Sequence, residues 1–139
     1  MDSLPGVLPG DGCSVEGDAP PRIEPSIRVV AMPADTNPAG DIFGGWLMAQ
    51  MDLAAGIVAA RRACGRSVTA AVEAMSFHHA VFVGDEVSVY AELKSVGKSS
   101  MKVNVSAWRR PRQGECMNLV TKAIFTFVAV DDNGRPRAI

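Results

Sequence analysis

The stretch that decides the fold is WLMAQMDLAAGIVAARRACG, residues 46–65. It consists of good helix formers, carries Arg61 and Arg62 near its end and reaches Gly65 as a stop signal. Over about 18 residues, a helix at 1.5 Å per residue would be roughly 27 Å long. Between residues 46 and 60 only Gln50 and Asp52 are polar. A helix this apolar must be buried on nearly every side, so the rest of the chain is expected to wrap around it.

The other segments predict β-strands. Residues 26–32 predict a short strand before the helix, and four strands are predicted after it at residues 67–77, 86–96, 99–110 and 119–130. In SSMKVNVSAW, residues 99–108, apolar and polar side chains alternate, so one face of that strand should meet water. The order β-α-β-β-β-β predicts an α+β fold in which a curved antiparallel sheet wraps one long helix, the hot-dog shape. Such a sheet leaves an edge strand and part of the helix open, so two copies are expected to pair.

Residues 1–25 are rich in proline and glycine and lack apolar periodicity, which predicts a flexible tail before a single domain at residues 26–139. The first residues carry acids and prolines instead of a basic segment followed by an apolar run, so no secretory signal is expected. The longest apolar stretches are shorter than the roughly 20 residues of a membrane span. We therefore expect no membrane association.

Charge and cysteine content narrow the classes of partner. The formal net charge is −1, which gives no overall basic field for nucleic acid or for an anionic membrane. Cys13, Cys64 and Cys116 are odd in number and widely spaced without a CxxC pair, so we predict free thiols and no zinc site. These features favour a cytoplasmic location, with no metal and no cofactor.

Asp52 is the strongest candidate for chemistry, because a carboxylate within an apolar helix costs several kcal/mol to bury unless something pairs with it or uses it. The alternative is that Asp52 faces solvent or pairs with a basic residue at an interface. Gly44 and Gly45 stand at the helix start, where unpaired N–H groups favour an oxyanion. Gly45 precedes Asp52 by two helical turns, so both can face one cleft. The glycines also fit a tight loop entry without any catalytic role.

Several nearby residues admit two interpretations. Asn37, in the loop at residues 33–40, can hold a water or polarise a carbonyl across a dimer cleft, or it can simply form a turn. Asp41 is a better candidate for a helix N-cap or a loop-closing acceptor than for catalysis. Thr69, near the start of the next strand, can donate a hydrogen bond to Asp52 or to water. His78 and His79 are adjacent strand residues in this prediction, so at most one of them can enter a given pocket.

Positive charge is concentrated in the third and fourth strands. At the turn between them, Lys98, Ser99 and Ser100 offer an ammonium group, two hydroxyls and backbone donors together. This combination suits a phosphate of a nucleotide-like ligand, although charged strand ends are usually only solvated. Phe43 and Gly44 complete the predicted substrate-binding residues. A serine triad and a zinc mechanism lack support, because there is no G-x-S-x-G elbow and no metal-ligand spacing.

The stretch AMPADTNPAGDIFGGWLMAQMD, residues 31–52, closely resembles the signature of YciA-type acyl-CoA thioesterases of the hot-dog superfamily. VTAAVEAMSF (68–77), VGDEVSVYAE (83–92), GKSSMKVNVSAW (97–108) and IFTFVAVDDNGRPRAI (124–139) also resemble that family. The segment at residues 110–118 and the amino-terminal tail depart from its pattern. The likeness therefore covers most of residues 31–139.

The resemblance implies roles for the candidate residues. Asp52 would be the catalytic carboxylate, Asn37 would assist from the opposing subunit, Thr69 would lie near the water, and Gly45 would give the oxyanion N–H group. Coenzyme A would lie along a dimer interface with the turn at residues 98–100 near its phosphates. A hexamer built as a trimer of dimers is also implied.

The sequence thus predicts hydrolysis of acyl-CoA esters, with Asp52 acting as a base toward water or as a nucleophile. Two other functions stay open. One is a hot-dog dehydratase or hydratase acting on acyl-CoA or acyl-carrier-protein substrates, which would need His78 or His79 beside a carboxylate. The other is a non-catalytic acyl-CoA binding module.

Overall fold

The apolar helix forms as predicted, with slightly different ends. The computed structural model describes residues 19–139, and in it helix α1 spans Gly44–Ala63. The N-cap is Phe43, in an extended conformation, so the interpretation of Asp41 as the N-cap is wrong. The C-cap is Cys64, which adopts a left-handed conformation with φ 53°. The residue that ends the helix is therefore Cys64 and not Gly65.

Five antiparallel strands form one sheet. They are β1 (Ile27–Val30), β2 (Ser67–Phe77), β3 (Glu86–Val96), β4 (Ser100–Arg110) and β5 (Asn118–Ala129). Their order across the sheet is β1-β3-β4-β5-β2, so β1 and β2 are the edges. One helix against a five-stranded antiparallel sheet confirms the predicted α+β hot-dog fold.

The core lies between α1 and one face of the sheet. The buried helix residues share one side, and they are Leu47, Met51, Ala54, Ala55, Ala59 and Ala63. The small alanines allow the helix to approach the strands closely. On β4 the predicted alternation is confirmed, because Met101, Val103, Val105 and Ala107 are buried while Lys102 and Asn104 are exposed.

The opposite side of α1 is open in the single chain. Leu53 is 59% exposed and Ile57 42%, so the expectation that the helix is buried on nearly every side is wrong for one copy. The physical reason is that the sheet packs against one helix face only. Edge strand β2 is exposed along most of its length, and Val68 and Val72 add apolar surface there. The name open face is used below for these exposed residues of α1 and β2.

The predicted tail, residues 1–25, lies largely outside the described residues, and β1 begins at Ile27. Cys13 also lies outside them. Cys64 is an exposed free thiol as predicted, but Cys116 is disulfide-bonded, so the prediction of three free thiols is wrong. Wide sequence spacing does not exclude pairing, because cysteines far apart in sequence can meet in the fold. Within residues 19–139 no helix has both the length and the apolarity needed to cross a membrane.

Candidate active site

Asp52 and Thr69 form a direct pair. The Thr69 hydroxyl donates a hydrogen bond of 2.6 Å to Oδ1 of Asp52. Thr69 is fixed on β2 by its register opposite Phe127 of β5, whose ring is buried against the helix. Asp52 is half-buried beside the exposed Leu53, so its carboxylate lies at the edge of the open face. A short bond to one oxygen orients the carboxylate and leaves Oδ2 for a substrate or a water.

Asn37 is held in a defined orientation by its own loop. Its side-chain oxygen accepts hydrogen bonds from the N–H groups of Ala39, at 2.9 Å, and Asp41, at 3.1 Å. Its backbone N–H donates to the Asp41 carbonyl at 2.7 Å. The turn interpretation is thus correct for the Asn37 oxygen, and Asp41 is a loop-closing acceptor through its backbone. The Asn37 NH₂ group remains available to donate to a carbonyl or a water.

The start of α1 presents two glycines between two aromatic rings. A Cβ at Gly44 would lie 3.5 Å from the Phe77 ring, and one at Gly45 would lie 3.2 Å from the Phe43 ring. The first N–H groups of a helix have no acceptor within the helix itself. Phe43 and Phe77 are each nearly half exposed, so they flank the helix start without covering it. This end of α1 can therefore bind a carbonyl oxygen or an oxyanion.

A cleft of about 430 Å³ opens at this helix start. Its walls combine the Asn37 loop, the first turn of α1 and the loop after β2. The residues discussed in the sequence analysis that line this cleft are Asn37, Asp41, Phe43, Gly44, Phe77, His78 and His79. The expectation that only one histidine can enter a given pocket is wrong, because both lie beyond the end of β2, where strand alternation no longer applies.

His79 has a defined ring orientation that the sequence did not reveal. Its Nδ1 lies 2.7 Å from the Leu119 carbonyl oxygen, so Nδ1 carries the proton and donates. In the neutral ring Nε2 is then left as an acceptor. Both histidines and Asp41 line the same cleft. The sequence alone could not predict the orientation of the His79 ring, because it depends on the Leu119 carbonyl, 40 residues away along the chain.

The predicted catalytic residues form two separate groups on one chain. Asn37 lies at the helix start, where Gly45 follows the substrate-binding candidate Gly44, and Asn37 and Gly44 line the cleft. Asp52 and Thr69 form the other group and do not line it. The seven residues from Gly45 to Asp52 span about 10 Å along the helix axis. A base and an oxyanion donor that act on one carbonyl must lie within a few ångströms of it. On one chain the Asp52–Thr69 pair and the helix start with Asn37 therefore lie apart, and they are called half-sites below.

The turn that carries Lys98, Ser99 and Ser100 lies near the Asp52 half-site. Ser100 pairs with Val128 on β5, which pairs with Val68 on β2, one residue before Thr69. Two strand spacings separate Ser100 from Val68, which is about 10 Å. The turn is held by a Gly97 N–H bond to the Ser100 carbonyl, and Lys98 is exposed. The turn and the start of β2, which carries Thr69, are therefore separated by one strand, β5.

Among residues 19–139 no group of three or more His, Cys, Asp or Glu side chains is arranged to hold a metal ion. The chemistry that the described side chains offer is a fixed carboxylate, an amide donor and a helix N-terminus. These are the groups used to add water to a polarised carbonyl.

Known proteins share both the sequence and the fold. The model of the Thioesterase superfamily matches residues 39–116, more than half of the chain. An uncharacterised acyl-CoA thioester hydrolase of Zymomonas mobilis is 53% identical over 84% of this chain and 78% of its own length. The acyl-CoA thioester hydrolase YciA of Escherichia coli is 47% identical, over 81% and 88% of the two chains.

Solved structures agree. The broad-specificity hexameric acyl-coenzyme A thioesterase HI0827 superposes with a TM-score of 0.82 at 45% identity, over 89% of this chain and 86% of that one. The hexameric thioesterase y2039 of Yersinia pestis gives 0.81 at 48% identity, over 86% and 97%. The fold, the identity and the coverage together show that this chain belongs to the thioesterase superfamily, among the relatives of the YciA acyl-CoA thioester hydrolases.

Proposed function

We propose that the protein hydrolyses acyl-CoA thioesters to coenzyme A and a carboxylic acid. The observation that carries this proposal is the carboxylate of Asp52, which the Thr69 hydroxyl orients. Asp52 lies on a helix whose neighbouring residues are apolar. The activity named for the close relatives supports the same reaction. No cofactor enters the proposal, because coenzyme A is part of the substrate.

The working unit in this proposal is a dimer. Its first support is the open face, where β2 is an edge strand among residues 19–139 and apolar side chains of α1 and β2 are exposed. The second support is the separation of the half-sites. A two-fold axis would bring the helix start and Asn37 of one copy toward Asp52 of the other and would generate two equivalent sites. Because two close structural relatives are described as hexameric, we extend the proposal to a hexamer made of three such dimers.

The proposed reaction begins with the thioester carbonyl at the helix start of one subunit. The N–H group of Gly45 stabilises the negative charge that develops on the carbonyl oxygen, and the Asn37 NH₂ group donates to the same oxygen or to the water. Asp52 of the other subunit removes a proton from water as its oxygen attacks the carbonyl carbon. The carbon–sulfur bond then breaks, and the thiolate of coenzyme A leaves and takes up a proton.

Asp52 can instead attack the carbonyl directly. An anhydride with the acyl group would form, the thiolate would leave, and water would then hydrolyse the anhydride. Both routes use the same residues. A single turnover of excess enzyme in ¹⁸O water tests for the nucleophilic route. When water opens the anhydride at the Asp52 carbonyl, ¹⁸O enters the Asp52 carboxylate, whereas the base route never places it there.

In the proposal, the nucleotide end of coenzyme A lies toward the turn at residues 98–100. Lys98 supplies a mobile cation, and the serine hydroxyls supply donors for phosphate oxygens. Phe43 and Gly44 contact the acyl-thioester portion at the mouth of the cleft. Replacing Lys98 with Met should raise KM severalfold with little change in kcat, because the phosphates bind equally in the ground state and in the transition state.

The decisive experiment measures thiol release from short, medium and long acyl-CoA esters with a colorimetric thiol reagent. We expect release by the wild-type protein and a loss of at least about a thousandfold in kcat for a folded Asp52→Asn variant, since the base or nucleophile is removed. Gln50→Asn is a matched control on the same helix and should remain active. A wild-type protein that binds acyl-CoA but releases no thiol would make the binding-module function correct.

The dehydratase alternative has one structural point in its favour, namely that His78, His79 and Asp41 line a common cleft. No hydrogen bond joins either histidine to Asp41 in the described part of the chain, whereas Asp52 has its Thr69 partner. Conservative His78→Gln and His79→Gln variants distinguish the two activities. A thioesterase of the proposed kind keeps thiol release in both, while a dehydratase loses hydration of an enoyl-CoA.

A cytoplasmic location is part of the proposal. Disulfides are uncommon there, but Cys116 is only 7% exposed, and burial slows attack by small thiols. Fractionation of the source cells, with detection of the protein by antibody, tests this location directly.

A further inference from the structure

An ion pair outside the cleft is the most buried charged group in the described structure. Arg109 on β4 donates to Asp85 through Nε at 2.7 Å and through Nη2 at 3.4 Å. Their side chains are 13% and 5% exposed. Asn118 lies 3.5 Å from the guanidinium and satisfies a further donor. The pair is 24 residues apart in sequence and is joined through the β3–β4 hairpin.

Asp85 also fixes the loop between β2 and β3. Its Oδ2 atom accepts the Phe82 backbone N–H at 2.9 Å, so one carboxylate holds both the strand and the loop. The Arg109 guanidinium lies 5.5 Å from the centre of the Phe82 ring, in cation–π geometry. Both carboxylate oxygens of Asp85 are therefore hydrogen-bonded, and Oδ2 links the Phe82 backbone to Arg109.

This loop in turn holds the Asn37 loop. The Val81 carbonyl accepts the Ile42 N–H at 3.1 Å, and Ile42 bridges to Thr36 on the other side of the turn. Between those two residues lies Asn37, whose side-chain oxygen is fixed by the Asp41 N–H. A second connection joins the start of the same segment, where the Ala31 N–H donates to the Asp85 carbonyl at 3.0 Å.

We infer that Arg109 and Asp85 are positioning residues for Asn37. The ion pair fixes residues 81–85, these fix both ends of the Asn37 loop, and the loop sets where the Asn37 NH₂ group points. The inference rests on the proposed function, since Asn37 is given its role there. Neither charged residue lines the cleft, so their effect on the reaction passes through the loop.

The chain offers a closely matched control. Arg110, the next residue on β4, donates to Glu86, the next residue on β3, at 2.9 Å and 3.2 Å. That pair is 43% and 29% exposed, and its Glu86 side chain makes no bond to the loop. An Arg→Lys substitution at either position keeps the charge but removes the paired hydrogen bonds from the guanidinium group to the carboxylate. Only the substitution at Arg109 should reach Asn37.

The experiment is a double-mutant cycle on kcat for thiol release, using the full chain. We expect Arg109→Lys to lower kcat about tenfold or more, because a small displacement of a catalytic group is enough for such a loss. KM should stay within about twofold, and Arg110→Lys should match the wild type in both constants. In the Asn37→Ala background, Arg109→Lys should cost less than about twofold, because the residue through which it acts is already gone.

The overturning results are equally specific. If the losses from Arg109→Lys and Asn37→Ala multiply in the double variant, Arg109 acts independently of Asn37 and the inference is wrong. An unchanged kcat in Arg109→Lys also overturns it. Circular dichroism and the urea midpoint establish folding, and Asp85→Asn replaces Arg109→Lys in the cycle if the latter does not fold. A wild-type protein without thioesterase activity defeats the proposed function, whereas an active protein with multiplicative losses defeats only this inference.

Discussion

If each active site is assembled from two copies, two variants of low activity should restore one another. Asp52→Asn damages the half-site on the middle of α1, and Asn37→Ala damages the half-site at the cleft. In a mixed dimer both substitutions fall in one site, and the other site combines the intact Asp52 of one chain with the intact Asn37 of the other. Random mixing gives mixed dimers about half the time, and each has one of its two sites intact. Activity should therefore return to about one quarter of the wild-type value.

The assay needs exchange of subunits and a control that cannot complement. Co-expression with two different affinity tags, followed by sequential purification, isolates assemblies that contain both variants. A mixed dimer should show about half the wild-type kcat, and a mixed hexamer of three randomly paired dimers should show about one quarter. Asp52→Asn mixed with Thr69→Val serves as the control. Both residues belong to the same half-site, so the mixture should not exceed the activity of Thr69→Val alone. Persistent inactivity of the purified mixed dimer would refute the reasoning, since it would mean that Asn37 and Asp52 of one chain act together.

Three further predictions follow from single contacts. Thr69→Val should lower kcat about tenfold while Thr69→Ser largely keeps it, because only the hydroxyl orients Asp52; steady-state thiol release measures both. Arg137→Met should lower the free energy of unfolding by about 1–2 kcal/mol, since Nη2 donates to the last helix carbonyl at 2.7 Å; urea denaturation at fixed protein concentration checks this, and an unchanged midpoint contradicts it. Gly56→Ala should raise stability by about 0.5–1 kcal/mol, because the new methyl group would meet the Phe127 ring at an ordinary 3.7 Å; a lower urea midpoint would show that the site is tighter than this.

The fold could be predicted because each element carries a strong local signal. The helix is long and apolar, and β4 alternates cleanly, so periodicity identified both. The exact ends of the helix could not be predicted from periodicity. Glycines have low helix propensity, yet Gly44 and Gly45 form the start of α1, where an added Cβ would meet the rings of Phe77 and Phe43.

The candidate site could be predicted only in part. The Asp52–Thr69 contact was foreseen as a possibility, but the burial of Arg109 against Asp85 was not, because it depends on the register of the β3–β4 hairpin. The orientation of His79 depends in the same way on a carbonyl of β5. Local pattern does not encode such pairings, since a shift of one residue in register would exchange the faces of the strand.

In the proposed dimer, each helix α1 takes part in both subunit assembly and catalysis. Its N-terminus belongs to one proposed site and its Asp52 to the other, so each helix serves both sites of a dimer. The same arrangement accounts for an apolar helix whose Leu53 and Ile57 are exposed in one copy, next to the only acid on that helix. A partner that covers these side chains also removes water from around Asp52, which strengthens its interactions with the substrate. In the proposed dimer, separation of the subunits therefore does more than expose apolar surface, because it parts each Asp52–Thr69 pair from the helix start and Asn37 of the other copy.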